Sequence, residues 1–416
     1  MQARADFRRL WAGQAISELG SQVTLVALPL TAILVLHASA FAVALLTSFE
    51  YLPFLLFGVI AGVWVDRLRY RRVLIFTDVA RAVVLGSIPV ANAFGVLTLA
   101  QLYAAAFVAG TLTVFFALAQ HAYLPILVER ELLVRGNARL EATRSVAQTA
   151  GPAAGGGLVS ALTAPVAVAA DAISFLLSAV LLLSIRTKDV PAPAAAERHL
   201  RAELREGVTY LWRQPILRAN LFSSGLANFS YGIVWALVLV YAVRVLGLDA
   251  ATIGVVLAAG QGLGIAGAAL ASRIAPRIGI GPAMIGGMAL AGPAILFIAF
   301  ADRETAIPFL VAGWALWSLA QLVTGVSGVS IRQALVPQRL QGRVVGATRA
   351  VIFGVGPLGA LAGGLLVTTA GFRTAFLVAA GCGFVAFVPL MLSPARRLRE
   401  LPREPEELVV GFAPAL

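Results

Sequence analysis

Twelve mostly apolar runs follow one another along this chain, near 10–36, 41–65, 73–93, 97–124, 138–163, 165–185, 216–244, 250–272, 281–301, 305–331, 343–370 and 374–393. A helix needs about 20 such residues to cross the hydrocarbon core of a bilayer. The expected fold class is therefore an all-α integral membrane protein with twelve transmembrane helices. The fifth and eleventh runs begin with Arg144 and Arg349 inside them, which weakens their hydropathy signal. Between Arg186 and Pro215 the pattern changes. Pro191 and Pro193 sit in an alanine-rich linker, after which Leu200, Leu204, Val208 and Leu211 recur at helical spacing. That spacing predicts an amphipathic helix lying against the inner leaflet or the bundle.

The polar gaps between the runs set the orientation. With the N-terminus inside, the inner segments hold Arg67, Arg69, Arg71 and Arg72, then Arg130, Arg135 and Arg139, then Arg273 and Arg277, then Arg339 and Arg343. The outer loops hold only Arg244, Arg303 and Arg373. Juxtamembrane arginine marks the cytoplasmic side, so both termini are expected in the cytoplasm of a multi-pass inner (plasma) membrane protein. The first run follows Arg4, Arg8 and Arg9 and continues past Leu30. It is longer than a signal-peptide core of about 7–15 residues and is expected to stay in the membrane.

Composition agrees with the pattern: 60% hydrophobic residues, 12% charged residues and a mean hydropathy of +0.89. A soluble chain uses about 45–50% apolar and about 25% charged residues, so the bulk of this one must face lipid. The net charge of +12 comes from 32 basic residues, all arginine but Lys188, lying mainly in the gaps between apolar runs. It fits a membrane face, and no nucleic-acid partner is expected. With Cys382 alone, no intramolecular disulfide is possible, and His37, His121 and His199 have no metal-ligand spacing. No metal and no cofactor are expected.

The two halves of the chain repeat. Ala142-Thr143-Arg144-Ser145 and Ala347-Thr348-Arg349-Ala350 precede Gly151-Pro152 and Gly356-Pro357, with an offset of 205 residues in both pairs. Gly58, Gly62, Arg67 and Arg71 align with Gly264, Ala268, Arg273 and Arg277 at an offset of 206. Two six-helix bundles related by a parallel pseudo-repeat point to a transporter with its site between them. The expected organisation is a first bundle over 1–187, a linker with its helix over 188–214, a second bundle over 215–394 and a tail over 395–416.

Here the chain resembles the major facilitator superfamily, and within it the macrolide- and siderophore-exporter-like branch. Gly62, then Asp66-Arg67, then Arg71-Arg72 look like the signature after that superfamily's second span, with Arg69-Tyr70 where the common form has a glycine. The resemblance implies that Asp66 sits near the inner start of the eleventh span and latches the halves in the outward-facing state. A carboxylate suits the unpaired amides of a helix N-terminus. The plainer reading is that Asp66 ends a helix and the arginines hold it inside. Ser272 stands where the acid would recur, so a latch would be one-sided. Gly151-Pro152-Ala153-Ala154-Gly155-Gly156 matches a Gly-Pro-x-x-Gly-Gly pattern that the resemblance ties to drug and metabolite antiporters. The proline bends the helix and the glycines admit a close neighbour.

Ionisable groups inside the runs need a partner or a wet cavity, because a charge at the bilayer centre costs at least about 2.5–3.5 kcal/mol. Asp78 and Arg81 lie one turn apart and can neutralise each other, or can join the inner arginines instead. Gln14, Glu18 and Gln22 form a polar stripe on the first span. Glu50 stands about 13 Å into the second span, just before Pro53. Glu18 and Glu50 lead as carboxylates for proton coupling or for a cationic substrate, with Asp171 third. Gln120, His121, Asn228, Tyr231, Trp235, Gln261 and Gln321 are further cavity candidates, each also readable as packing. Gating candidates are Gly62, Asp66, Arg67, Arg71, Arg72, Asp78, Arg81, Arg144 and Arg349.

No phosphate-cradling loop is evident, so an ion gradient is the expected energy source. The function expected is proton-coupled export of a small, partly hydrophobic molecule by a monomer in the bilayer, without catalysis. An importer or lipid transporter of the same fold is the nearest alternative. A non-transporting membrane sensor is another, though it leaves the buried acids without a reason.

Overall fold

The structure is a computed structural model that describes residues 2–65, 67–129, 132–187 and 200–400. Among these residues the regular structure is all helical. The helices are α1 (Gln2–Leu30), α2 (Ala40–Val65), α3 (Tyr70–Ala93), α4 (Leu99–Leu127), α5 (Leu133–Ala161), α6 (Ala164–Leu183), α7 (Leu200–Arg213) and α8 (Pro215–Arg244). They continue as α9 (Ala250–Ile278), α10 (Ile280–Ala289), α11 (Ala291–Ala299), α12 (Ala306–Leu335), α13 (Gln341–Val385) and α14 (Val388–Leu392).

Ten stretches among the described residues are long and apolar enough to cross a membrane. One of them, Gln341–Leu392, takes in two of the expected runs and is broken where Gly371 adopts φ 81°, a backbone conformation open to glycine. The expected fifth run does not qualify. Its helix, α5, carries Arg135, Arg139, Glu141 and Arg144 in its first half and small residues in its second.

The helices are apolar outside and mixed inside, as lipid demands. On α3, Phe76, Val79, Val83 and Val90 are exposed, while Leu74, Thr77, Asp78, Arg81, Leu85 and Ile88 are buried. Thr77, Asp78 and Arg81 therefore lie on its protein face.

The chain forms two compact units. The first contains the described residues up to 187 with Trp235–Ala259 and Ala360–Thr368. Within it α1 packs on α5 and α6, α3 on α4 and α6, and α2 on α4. Leu10, Tyr70, Leu74, Tyr123, Leu124 and Leu182 share one apolar core. Asp6 ties the start of α1 to the chain after α6: it accepts hydrogen bonds from Arg9 (2.6 Å) and from the Thr187 hydroxyl and amide (2.7 and 2.9 Å). Arg71 donates to the carbonyls of Leu182 and Leu183 at 2.9 and 2.6 Å. It thereby caps the C-terminus of α6, where carbonyls lack helical donors and a cation is favoured.

Asp249 begins α9 by accepting from the Thr252 amide at 2.7 Å. That bond holds its carboxyl below the ordinary aspartate value of about 3.8. A lowered carboxyl contributes stability at neutral pH that is lost as pH falls through its folded value, below about 3.8. Asp249→Ala should cost about 0.5–1 kcal/mol, the low end for an exposed cap. Thermal unfolding should show the deficit at pH 7 and lose most of it once the pH lies well below the ordinary aspartate value. A variant as stable as the parent at pH 7 would remove the cap from the account.

The second unit contains the described residues of 200–234, Gly260–Gly359 and 369–400. Here α7 docks through buried Leu211 into a core with Ile216, Leu217, Met284, Ile331, Leu335 and Val344. The Tyr210 hydroxyl donates to Leu335 O at 2.6 Å, Glu206 pairs with Arg343, and Gly207 lies against the Arg343 backbone. Of the two surfaces expected for this helix, the described residues use the bundle. Gly279 (φ 95°) turns the chain into α10, whose first amides, Ile280 N and Gly281 N, donate to Arg399 O and Leu398 O.

Candidate functional site

The first unit holds a polar core between α1, α3 and α6. Arg81 donates to Asp78 Oδ1 at 2.5 Å, with its guanidinium 4.4 Å from the Phe116 ring centroid and 4.1 Å from that of Phe175. Two ring faces and a carboxylate thus replace the water that a buried arginine gives up. Thr113 of α4 and Thr77 O lie at the limit of hydrogen bonding to it, 3.5 and 3.4 Å away. The charge of Asp171 also acts on Arg81. Ser174 Oγ lies 2.8 Å from Asp171 O and 3.0 Å from Asp171 Oδ1.

Glycines on α1 make this proximity possible. A Cβ at Gly20 would collide with Ser174 Oγ, and one at Gly13 would press on Ser178. The same device recurs between α1 and α5, where Gly151 meets Gln22 and Gly155 meets the Val23 backbone. Gly156 instead meets the first turn of α9. Its Cβ would collide with Ala250 O, a Cβ at Gly254 would collide with Pro152 O, and Ser160 Oγ accepts from Ala251 N at 2.9 Å. Arg244 donates to Ala38 O at 2.6 Å in the same unit. The Gly-Pro-x-x-Gly-Gly segment is therefore a double contact face, with α1 on one side and α9 on the other.

Of the expected stripe on α1, Glu18 is half-buried, hydrogen-bonded to Gln22, and in the field of Arg144, Arg81 and Glu141. Gln14 Oε1 is buried without a hydrogen-bond partner among the described residues. Glu50 has different surroundings. No basic group among the described residues pairs with it. Phe49 beside it stacks on Tyr103 (5.4 Å between centroids), and Phe107 meets Phe49 and Phe57 edge-on at 6.3 and 6.1 Å. A Cβ at Gly110 of α4 would collide with Glu50 O and press on Pro53, so α2 and α4 are closely packed here. His121 is exposed, its Nδ1 2.6 Å from Ala117 O of its own helix.

In the second unit Tyr231 stacks on Trp317 (5.3 Å, 13° between planes) and lies 6.4 Å from Trp314. Asn228 donates to Ser224 O at 2.8 Å, and Gln261 O faces Ser318 Oγ at 3.5 Å. Gln321 is exposed, and Trp235 is buried in the first unit. Arg349 is exposed and acts on Arg332, whereas its repeat counterpart Arg144 acts on Glu18.

Arg67 and Arg72 are exposed, and Arg71 serves as the cap described above. Asp66 lies outside the described residues, and of Gly62 only its place in α2 is described. Phe116, Phe175, Ser174, Trp314 and Trp317 are site residues that sequence reasoning passed over. Trp314 and Trp317 carried a signal, being one turn apart on one helix face.

Comparison with known proteins gives this geometry a family. A chain 28% identical over 397 residues, 92% of this protein and 93% of its own length, is the multidrug efflux pump Tap of Mycolicibacterium fortuitum. The uncharacterized MFS-type transporter YfiS of Bacillus subtilis (strain 168) is 26% identical over 405 residues, 93% of this chain and 94% of its own. Among solved structures, a bacterial homologue of the iron transporter ferroportin in its inward-facing state shares the fold. Its TM-score is 0.72 at 17% identity, covering 94% of this chain and 98% of its own. The nucleoside transporter NupG does so with a TM-score of 0.75 at 13% identity, covering 93% and 98%. The family model of the Major Facilitator Superfamily matches residues 10–357, and this multi-pass membrane protein belongs to that superfamily.

Proposed function

We propose that the protein is a secondary active exporter of small amphipathic molecules, driven by protons and working by alternating access. In this reading twelve spans form two six-helix bundles over 1–187 and 215–394, related by the parallel repeat. The linker and the tail lie in the cytoplasm with both termini, and the protein works as a monomer in the plasma membrane. The efflux direction is supported by the likeness to Tap, named as a multidrug efflux pump, over nearly the whole of both chains.

The single observation that carries the substrate reading is Glu50, an acid with no basic partner among the described residues, beside rings on α2 and α4. Aromatic faces with one carboxylate suit the charged end of a cationic amphipath. Coupling falls to the buried acids of the first unit, because a carboxyl that gains and loses a proton needs no second ion.

A resistance and export panel in a pump-depleted host tests this. Glu50→Gln should lose at least about tenfold of export for cationic substrates, the effect of roughly 1.4 kcal/mol, and much less for neutral ones. Export that persists across a collapsed proton gradient would overturn proton coupling. Equal export of cations by Glu50→Gln and the parent would remove Glu50 from recognition.

A further inference from the structure

Three ionisable side chains are buried together in the first unit: Asp78 (0% exposed), Arg81 (4%) and Asp171 (1%). They present two acids and one cation. Arg81 is held between the rings of Phe116 and Phe175 and against Asp78, so it stays with the core. Two carboxylates beside one guanidinium would leave a net negative charge out of water, at a cost of several kcal/mol. One of the acids is therefore neutral in this arrangement.

The ion pair identifies which. Asp78 makes the 2.5 Å ion pair with Arg81 and is the charged partner. Asp171 meets Ser174 Oγ twice, through its backbone carbonyl at 2.8 Å and its Oδ1 at 3.0 Å. A serine hydroxyl has one hydrogen. Donated to the nearer carbonyl, it leaves Ser174 Oγ free to accept from a protonated Asp171, whose carboxyl is otherwise met by the Thr24 hydroxyl and by no ion pair among the described residues.

We propose that Asp171 is the acid that binds and releases the transported proton, with Arg81 as the one cation it shares with Asp78. This rests on the proton-coupled reading above and adds to it the acid and its counter-ion. Further charged groups around the site come from α1, α3 and α5. Glu18 comes from α1, Asp78 and Arg81 from α3, and Glu141 and Arg144 of α5 act through Glu18, while α4 contributes Thr113 and Phe116. Half-buried Glu18, hydrogen-bonded to Gln22, is the relay between this core and water. On release, the O–H bond of Asp171 breaks and a water reached through Glu18 takes the proton. The carboxylate keeps the electron pair, and Arg81 then answers two negative charges instead of one. The closer pull of α6 on α3 is the mechanical output of that step.

The test uses the full-length protein in liposomes, with a cationic dye as substrate. Asp171→Asn should lower proton-gradient-driven transport at least tenfold while lowering dye–dye exchange, which moves no net proton, less than threefold. Gradient-driven transport that Asp171→Asn leaves intact overturns the proposal. So does an equal loss of both activities in a variant that folds normally. Should Asp171→Asn not fold, labelling by a carbodiimide, which attacks protonated carboxyls in apolar surroundings, decides on the parent protein. Asp171 should be modified at pH 6 and protected at high pH, and an unmodified Asp171 at both pH values overturns the proposal. A parent protein indifferent to the proton gradient would sink the coupling reading itself, which distinguishes the two failures.

Discussion

Arg81→Leu is expected to be the most destabilising single replacement in the first unit. It leaves Asp78 and Asp171 buried with no cation between them and empties the space between Phe116 and Phe175. Removing one partner of a buried ion pair costs about 3–5 kcal/mol. Arg81→Lys should recover only part of this, because an ammonium lacks the flat face that two rings enclose. Adding Asp78→Asn to Arg81→Leu should recover more, since it removes the charge left behind. Melting temperature and membrane yield read all three. An Arg81→Leu protein as stable as the parent would mean that the core is not held by this pair.

Gly156→Val is expected to have the second largest effect, on transport rather than on folding. The new side chain would meet the Ala250 carbonyl, which cannot rotate away, and α5 and α9 would have to separate. Overpacking of this kind costs about 1–3 kcal/mol, a factor of roughly 5–150 in the population of the packed arrangement. Export should fall in proportion if the cycle passes through that arrangement. Cross-linking in a Ser160→Cys/Ala251→Cys protein lacking Cys382 reads the approach of the two helices directly. Gly157→Val is the control, because a Cβ there meets nothing within 4 Å. Equal export by the two valine variants would rule out the contact as a working part.

The apolar runs were readable along the chain because lipid imposes one simple demand on every outward face. The run over 138–163 was the hard one. Arginines at one end and small residues at the other make α5 a contact helix, whose partners α1 and α9 no local pattern names. Asp78 and Arg81 could be paired from their spacing. Their neighbour Asp171 stands on a helix distant in sequence, so the two-to-one ratio of acids to cation appears only after folding. Arg71 is legible as an arginine in a polar gap between apolar runs but not as a cap, because the carbonyls it serves belong to α6. Glu50 stands out in the sequence as an acid inside an apolar run, yet its lack of a basic partner among the described residues is a property of its neighbours and not of its own helix.

The chain beyond α14 has a practical bearing on how the protein is made. Arg399 O and Leu398 O accept the amides of Ile280 and Gly281 respectively, and Ala395 is buried within the second unit. A purification handle joined directly after Leu392 would strip acceptors from the first turn of α10 and uncover that apolar seat. One joined after Glu400 leaves both in place, so a fusion site chosen from the last apolar run alone falls several residues too early.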